Sequence, residues 1–308
     1  MRHREMRPLP GQSPLRLSGR PRLLLHGTRH GAGGNSMKTY DEQSCPISAD
    51  DGPPLKTAGS GEKVRIAVFS LTGCEGCSLA ILELEDALLQ ILDAVSIVNF
   101  REAVTEREWH IDLGFVDGAV STPHDEETIH RYRDCCTTLV AVGACACLGG
   151  VNTQKHERLS SEYRRYVYGE AASQVVTTDA RPISAVVKVD YELPGCPMVK
   201  EEFLRFVKCM IVGRPFRLPD YPVCVECKRR GILCLYEKGE ICLGPLTRAG
   251  CDAICPYYGA KCDACRGVLG EESLVALGRN VKQQYFVPID DVLVSLRKYG
   301  AYQKGELP

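Results

Sequence analysis

Cysteine stands out in this sequence by number and by spacing. The chain has 308 residues, of which 17 are cysteine. Cys74 and Cys77 are separated by two residues directly after an apolar run, and residues 224–265 hold eight more cysteines. Thiols at such spacings form disulfides, act as redox dithiols or bind metal as thiolates. The other cysteines, and the elements that position them, have to decide between these three kinds of chemistry.

Disulfides are the least favoured of the three. Disulfide scaffolds are typical of short secreted chains, whereas this chain is long and has an odd number of cysteines. The arginine-rich N-terminus shows no secretory pattern, because its apolar patch at 23–25 is too short and it has no Arg-Arg pair. We therefore expect a cytoplasmic protein in a reducing compartment, where clustered cysteines bind metal.

The overall composition excludes two classes of partner. Charged residues make up 25% of the chain and the formal net charge is −1, without the basic excess of a nucleic-acid-binding protein. The longest apolar runs, such as 139–142, are far shorter than the ~20 residues that cross a bilayer. We expect a soluble protein with no nucleic acid partner and no membrane span.

The first 61 residues are predicted to be a disordered, basic extension and linker. Residues 1–37 contain seven arginines, one glutamate and many Gly, Pro and Ser residues, a composition that cannot bury enough apolar surface to fold. The alternatives are an over-extended start, with Met37 as the true initiator, and a basic tail that binds a partner, which we favour less.

Strands and helices alternate from Lys63 onward. This alternation predicts βαβ units and a parallel, doubly wound sheet, in which sites form at the carboxyl ends of strands. Strands are predicted at 63–71, 95–100, 111–120, 138–146 and 185–196, and helices at 76–92, 124–134 and 199–213.

Four predicted strand ends carry candidate site residues. Three of them deliver a cysteine to the same edge of the sheet, each within two residues of a glycine, which lets the backbone approach a bulky ligand. A thioredoxin-like dithiol at Cys74 and Cys77 would leave the other two cysteines unexplained. The strand ends are Gly73-Cys74, Asp117-Gly118, 143–145 with Cys145, and 194–196 with Cys196.

The region after the sheet has a different texture. Residues 214–222 are rich in proline and are predicted to be a linker, and 224–265 lack hydrophobic periodicity. Such a segment needs metal to hold it together. The predicted domains are therefore 62–215, 216–270 and a tail at 271–308 that carries a surface helix at 289–300.

The cysteines fall into three sets of four, which suits either tetrahedral zinc or cubane clusters. Zinc sites commonly include histidine, yet no histidine follows His156, and three neighbouring sites are typical of an electron relay. Clusters are therefore favoured over zinc. His110, His124, His130 and His156 are expected to be surface residues. Cys45, Cys135, Cys136, Cys147 and Cys209 remain outside the sets, with Cys147 an alternative to Cys145.

Five motifs resemble one family. "LTGCEGCS", "VGACACLGG", "LPGCPM", "CLGPLTRAGCDAICP" and "CDACRG" are similar to motifs of the small, electron-transferring subunit of cytoplasmic [NiFe] hydrogenases. The methyl-viologen-reducing and sulfhydrogenase types are the most similar. The resemblance covers about residues 63–270. It implies a flavodoxin-like α/β fold followed by a smaller, irregular C-terminal iron–sulfur domain.

The resemblance also implies three [4Fe-4S] clusters. The second and third sets can exchange members, because sequence does not fix connectivity. The proximal cluster is assigned to Cys74, Cys77, Cys145 and Cys196, the medial cluster to Cys251, Cys255, Cys262 and Cys265, and the distal cluster to Cys224, Cys227, Cys234 and Cys242.

Several positions depart from the membrane-associated relatives. Cys224 stands where those relatives have histidine, and Cys251 supplies a thiolate where they often have proline. The added thiolate charge is expected to lower reduction potentials. Met198 replaces a common second proline. Asp117 replaces a glutamate that faces the large subunit, so the carboxylate is kept but its reach is shorter.

The implied function is a division of labour between subunits. A [NiFe] large subunit would split or form dihydrogen, and this chain would relay electrons to an external acceptor. That acceptor would be a flavin or NAD(P) subunit, a ferredoxin or a heterodisulfide reductase. No catalytic residue is expected in this chain. The alternatives are a complex I-type cluster subunit, whose first motif has adjacent cysteines, and a zinc-binding structural protein.

Overall fold

The computed structural model describes residues 63–104, 108–157, 160–270 and 289–300. Its centre is a five-stranded sheet in which every neighbouring pair is parallel and the order is β2-β1-β3-β4-β5. This is the flavodoxin-like order, so the predicted fold class is confirmed. The strands are β1 (Val64–Ser70), β2 (Val95–Phe100), β3 (Ile111–Asp117), β4 (Cys136–Val142) and β5 (Tyr191–Leu193).

Helices cover both faces of the sheet, because successive side chains of each buried strand point to opposite sides. On one face, Phe115 packs against Phe203, with ring centroids 4.7 Å apart. On the other face, Leu139 of β4 belongs to the same core cluster as Ile129. The helices are α1 (Gly76–Leu82), α2 (Asp86–Ile91), α3 (Pro123–Cys135), α4 (Gly143–Leu148), α5 (Ser160–Tyr168), α6 (Lys200–Ile211), α7 (Val223–Arg229), α8 (Ile254–Tyr257) and α9 (Ile289–Arg297).

Three predicted elements differ from the structure. The strand predicted at 138–146 ends at Val142, and residues 143–146 begin α4, because Gly143 takes a positive φ of 83° at the strand end. The single helix predicted at 76–92 is two helices, because Glu85 adopts a positive φ of 46° and breaks the hydrogen-bond ladder. Both α1 and α2 then pack on α6. The last predicted strand, at 185–196, is short. Residues Ile183–Ala185 form a 3-10 turn, and only Tyr191–Leu193 pair with β4.

The cysteine-rich segment after α6 has its own apolar cluster. Leu243 and Leu246 are 1% exposed, and the buried thiols of Cys242 and Cys262 belong to the same cluster. Helix α9 contributes Leu296, which is fully buried against it. The predicted domain boundaries stay predictions, and the extension at 1–61 lies outside the described residues. No helix in the described ranges combines the length and apolar character needed to cross a membrane.

Candidate functional site

The first set of cysteines lies at one edge of the sheet. Cys74 follows β1, Cys77 lies in α1, Cys145 lies in α4 directly after β4, and Cys196 follows β5. Because the strands are parallel, their carboxyl ends meet at this edge. Cys74 and Cys196 are exposed, whereas Cys77 is buried. The structure therefore brings the four cysteines together, and their role as ligands stays a prediction.

The thiols of this set are close enough to affect one another. Burial raises the pKa of Cys145 to about 12, and the charges of Asp117, Cys196 and Cys74 add to the rise. Burial and the charge of Asp117 likewise raise the pKa of Cys77. Without a metal these thiols stay protonated. Bound iron would favour their thiolate forms, because a metal cation lowers the pKa of the thiols that coordinate it.

Glycines let these thiols lie close against the backbone. A Cβ on Gly143 would overlap the Sγ atom of Cys77, and a Cβ on Gly150 would lie 2.6 Å from the Sγ atom of Cys145. Both glycines also have positive φ angles, 83° and 64°, which disfavour any side chain. A side chain at either glycine would therefore displace a thiol of the set.

The turn between the first two cysteines is held by Glu75. Glu75 has a φ of 61°, a left-handed conformation that is uncommon outside glycine. Its carboxylate accepts hydrogen bonds from Ser70 Oγ at 2.7 Å and from Arg101 Nη2 at 2.6 Å. These bonds anchor the loop of Cys74 and Cys77 to the ends of β1 and β2. Sequence reasoning missed both of these anchors.

Asp117 ends β3 beside the first set. It is 6% exposed, and its Oδ1 atom accepts the backbone N–H of Gly118 at 2.7 Å. Burial raises the pKa of this carboxyl above its usual range, against that hydrogen bond. Asp117 therefore lies where the sequence predicts it. Its contact with a large subunit stays a prediction.

The second set lies in the loops around α8. Burial raises the pKa of Cys265 to about 12, against a hydrogen bond from the Cys196 backbone N–H, and the charges of Cys251 and Cys255 add to the rise. Cys262 donates through Sγ to Thr247 Oγ1 at 3.3 Å. Cys265 therefore neighbours two members of its own set and one member of the first set.

Backbone N–H groups surround Cys251 in this loop. Hydrogen bonds from the N–H groups of Ala253 and Ile254 lower the pKa of the Cys251 thiol, although burial and the charge of Glu226 raise it more. Asp252 and Ala253 have positive φ angles of 54° and 48°. Amides aimed at a ligand sulfur tune the potential of an iron–sulfur cluster.

The third set lies around α7 and the loop that follows it. Burial raises the pKa of Cys224 to about 12, and the charges of Cys242, Cys227 and Cys234 add to the rise. A Cβ on Gly244 would lie 3.4 Å from the Sγ atom of Cys224 and 3.5 Å from that of Cys242. Here too, a glycine lies beside thiols of the set.

The three sets adjoin one another in a fixed order. The first touches the second through Cys196 and Cys265, and the second touches the third where the Cys262 N–H donates to Cys242 Sγ at 3.4 Å. As the side chains stand, no three of the described His, Cys, Asp or Glu residues surround a single metal ion. Each set offers four sulfur donors with glycine close by, and four cysteine sulfurs are the donors that iron–sulfur clusters require.

Sequence reasoning missed Glu226, which lies between two cysteines of the third set. Its carboxylate is 2% exposed and accepts the N–H groups of Gly250 at 2.7 Å and Ala253 at 3.0 Å. It therefore ties the third set to the loop of Cys251. A charged residue inside a cysteine motif was the signal that could have revealed it.

The other cysteines lie outside the three sets. Cys147 donates through Sγ to the carbonyl of Ala141 at 3.4 Å and packs in the sheet core. The Sγ atoms of Cys135 and Cys136 are 4.0 Å apart at the junction of α3 and β4. Cys209 lies in α6 and packs against the core, and Cys45 lies outside the described residues. His110, His124 and His130 are exposed, while the side chain of His156 is not described.

Comparison with known proteins separates the two kinds of cluster-carrying protein that the sequence leaves open. Residues 74–210 match the family model of the NADH ubiquinone oxidoreductase 20 Kd subunit. Over 241 residues the chain is 35% identical to sulfhydrogenase 2 subunit delta of Pyrococcus furiosus, covering 78% of this chain and all of that relative. It is also 32% identical to an F420-non-reducing hydrogenase subunit of Methanocaldococcus jannaschii, covering 66% of this chain and 82% of that protein.

Among solved structures, an NAD+-reducing [NiFe]-hydrogenase in the H2-reduced state matches with a TM-score of 0.46 and 30% identity, covering 51% of this chain and 96% of that one. The sequence relatives define the class as subunits of hydrogenases, which are oxidoreductases that act on dihydrogen. The chain belongs to the small-subunit family of [NiFe] hydrogenases, of the sulfhydrogenase type.

Proposed function

We propose that this chain relays electrons through three [4Fe-4S] clusters between a [NiFe] large subunit and an external acceptor. The observation that carries the proposal is the order of the thiol sets. The first set adjoins the second through Cys265, and the second adjoins the third through Cys242. A linear order of closely spaced redox sites is the arrangement that stepwise electron transfer requires.

The chain's own residues hold, bury and tune these sites. Each set supplies four cysteine sulfurs, and bound clusters would supply one-electron redox chemistry. Backbone amides, such as the N–H of Cys196 beside Cys265, donate to the sulfurs and favour negative charge on them. No proton transfer or bond cleavage is assigned to this chain.

The order of the sets indicates where the partners bind, because the first and third sets are its two ends. Cys74, Cys196 and Cys234 of these end sets are exposed, as is Cys255 of the second set. We assign the large subunit to the sheet edge and the acceptor to the side of Cys234. The acceptor is a flavin or NAD(P) subunit, a ferredoxin or a heterodisulfide reductase, and the complex is expected to work in the cytoplasm.

Two other functions are tested by the same measurement. A complex I-type subunit would carry one cluster, and a structural zinc protein would carry none. Iron, zinc and sulfide analysis of the anaerobically purified chain, with EPR of the reduced state, should give about twelve iron atoms per chain and matching sulfide. About four iron atoms would support the first alternative, and zinc without sulfide would support the second.

The assignment of the third set to the acceptor end of the relay is tested with Cys227→Ser in the complete hydrogenase complex. The variant should lose electron transfer to the acceptor. It should keep the isotope exchange between dihydrogen and deuterated water that the large subunit catalyses. Cys209→Ser is the matched control, because Cys209 belongs to no set, and it should keep both activities. Equal loss of both activities in Cys227→Ser, with assembly intact, would contradict the distal assignment.

A further inference from the structure

Arg266 is fully enclosed by the protein and uses its whole guanidinium group. It is 2% exposed, and its Nε atom donates to the carbonyl of Ala249 at 2.9 Å. Nη1 donates to the carbonyl of Pro194 at 2.7 Å. Nη2 donates to both carboxylate oxygens of Glu202, at 3.0 and 2.9 Å. Such a fork of charge-assisted bonds has defined geometry as well as strength.

These bonds connect segments that carry ligands of two different clusters. Pro194 precedes Cys196 of the first set by two residues, and Ala249 precedes Cys251 of the second set by two residues. Arg266 itself follows Cys265 directly. One side chain therefore joins the loop at the end of β5 to both halves of the second set.

Gly250 packs tightly against the pair. A Cβ on Gly250 would lie 2.5 Å from Nη2 of Arg266 and 2.9 Å from Oε1 of Glu202. Glu202 is 5% exposed and projects from α6. Replacing a buried ion pair by apolar residues is often neutral or stabilising, so stability alone does not account for this pair.

The charges around Cys251 are of both signs. Glu226 Oε2 lies 4.0 Å from its sulfur, and Arg266 opposes the effect of Glu226 on the thiol. Arg205 also approaches Glu202, at 3.6 Å, but it is half exposed and donates to neither cysteine loop. Arg266 therefore stands alone among these groups in being both buried and bonded to the two loops.

We propose that Arg266, oriented by Glu202, is a positioning residue that fixes the loop of Cys196 against the loop of Cys251. Its buried charge also raises the reduction potential of the cluster that Cys251 and Cys265 hold. The inference rests on the proposed function. The step it affects is the passage of one electron from the first cluster to the second, with no bond or proton changed.

The positioning is tested by hydrogen–deuterium exchange of the full chain, purified anaerobically with its clusters. In Arg266→Gln, the segments around Cys196 and Cys251 should both exchange at least tenfold faster than in the wild type. Arg205→Gln is the matched control and should leave both segments unchanged. Unchanged exchange in Arg266→Gln, or acceleration in only one segment, would overturn the positioning role.

The charge is tested by EPR-monitored redox titration of the same proteins. Arg266→Gln should lower the reduction potential of the second cluster by at least about 59 mV, which is a tenfold change in the equilibrium constant of a one-electron reduction. Glu202→Gln removes the negative partner of Arg266 and should raise the reduction potential of the second cluster. Arg266→Lys keeps the positive charge, and its reduction equilibrium constant should stay within tenfold of the wild-type value. Equal potentials in all variants, or shifts of the same sign in Arg266→Gln and Glu202→Gln, would overturn the electrostatic role.

Iron and sulfide analysis separates this inference from the proposed function. If the wild type lacks iron and sulfide, the proposed function and the electrostatic role fail together, and the exchange experiment alone decides the positioning role. If Arg266→Gln does not fold, Arg266→Lys and Glu202→Gln carry the test. Wild-type exchange in Arg266→Lys would then reject the positioning role, and a wild-type potential in Glu202→Gln would reject the electrostatic role.

Discussion

The sheet region and the cysteine-rich segment hold their cysteines in different ways. In the sheet region, two apolar clusters on opposite faces form the core, and Cys77 is the one member of the first set that belongs to either of them. Phe206 is fully buried in one of them and packs edge-on against Phe115 and Phe216. The other three cysteines of the first set lie at the edge of a frame that apolar residues stabilise.

In the cysteine-rich segment, cysteines are part of the core itself. Cys242 and Cys262 are each 7% exposed and belong to the same cluster as Leu243 and Leu246. Small domains without a large apolar core need metals or disulfides to be stable. We therefore expect the proposed clusters to add less to the stability of the sheet than to that of the segment.

Removal of iron and sulfide with a chelator under anaerobic conditions should separate the two regions most strongly. Amides in 223–268 should exchange within about tenfold of an unfolded chain, because metal-binding energy is folding energy in such segments. Strands β1, β3 and β4 should stay protected. Hydrogen exchange measured by mass spectrometry checks this, and equal loss of protection in both regions would erase the distinction.

Adding a side chain at the glycines beside the thiols should remove one cluster at a time. Gly143→Ala would force a Cβ onto the sulfur of Cys77 at a φ of 83°, so about one third of the iron should be lost. Gly244→Ala would place its Cβ at ordinary contact distance from Cys224 and Cys242, so this variant should lose less iron. Iron analysis and EPR measure both.

Gly169→Ala is the control for backbone strain. Gly169 also has a positive φ, 54°, but nothing lies within 4 Å of its Cβ position. The variant should keep all its iron. If it loses as much as Gly143→Ala, strain rather than occupied space explains the result.

Sequence reasoning captured what local pattern and spacing encode. The β-branched runs and following glycines predicted the parallel strands, and the strand ends placed Cys74, Cys145 and Cys196 at one edge. It could not predict the break at Glu85, because the periodicity of 76–92 fits one helix as well as two. The short β5 was missed for a similar reason, since apolar residues near Val186 fill the core without pairing.

Long-range partners were beyond the sequence. Arg266 meets Glu202 from 64 residues away, and Glu226 reaches Gly250 from 24 residues away. No spacing rule connects such positions, because the fold alone brings them together. The grouping of the eight downstream cysteines was open for the same reason, and it is the structure that places Cys242 beside Cys224.

Core truncations should act differently on the two regions. Phe206→Ala should lower the free energy of unfolding by about 3–5 kcal/mol, both with and without iron, since the sheet core does not depend on clusters. Leu243→Ala should cost about 2–5 kcal/mol with clusters bound and almost nothing without them, because the iron-free segment is already open. Denaturant titrations followed by circular dichroism and cluster absorbance check both. A clear effect of Leu243→Ala in the iron-free chain would show that the segment folds without metal.

The smallest changes test single hydrogen bonds in each region. Thr122 caps α3 by accepting the N–H of Asp125 at 3.0 Å, so Thr122→Ala should cost about 1 kcal/mol with or without iron. Tyr236 donates to the carbonyl of Cys242 at 2.7 Å, so Tyr236→Phe should also cost about 1 kcal/mol. Because that bond shapes a cysteine loop, the cost should appear as roughly fivefold faster iron release to a chelator. Faster release from Thr122→Ala as well would mean that sheet and segment open together, and the two regions would then share one cooperative core.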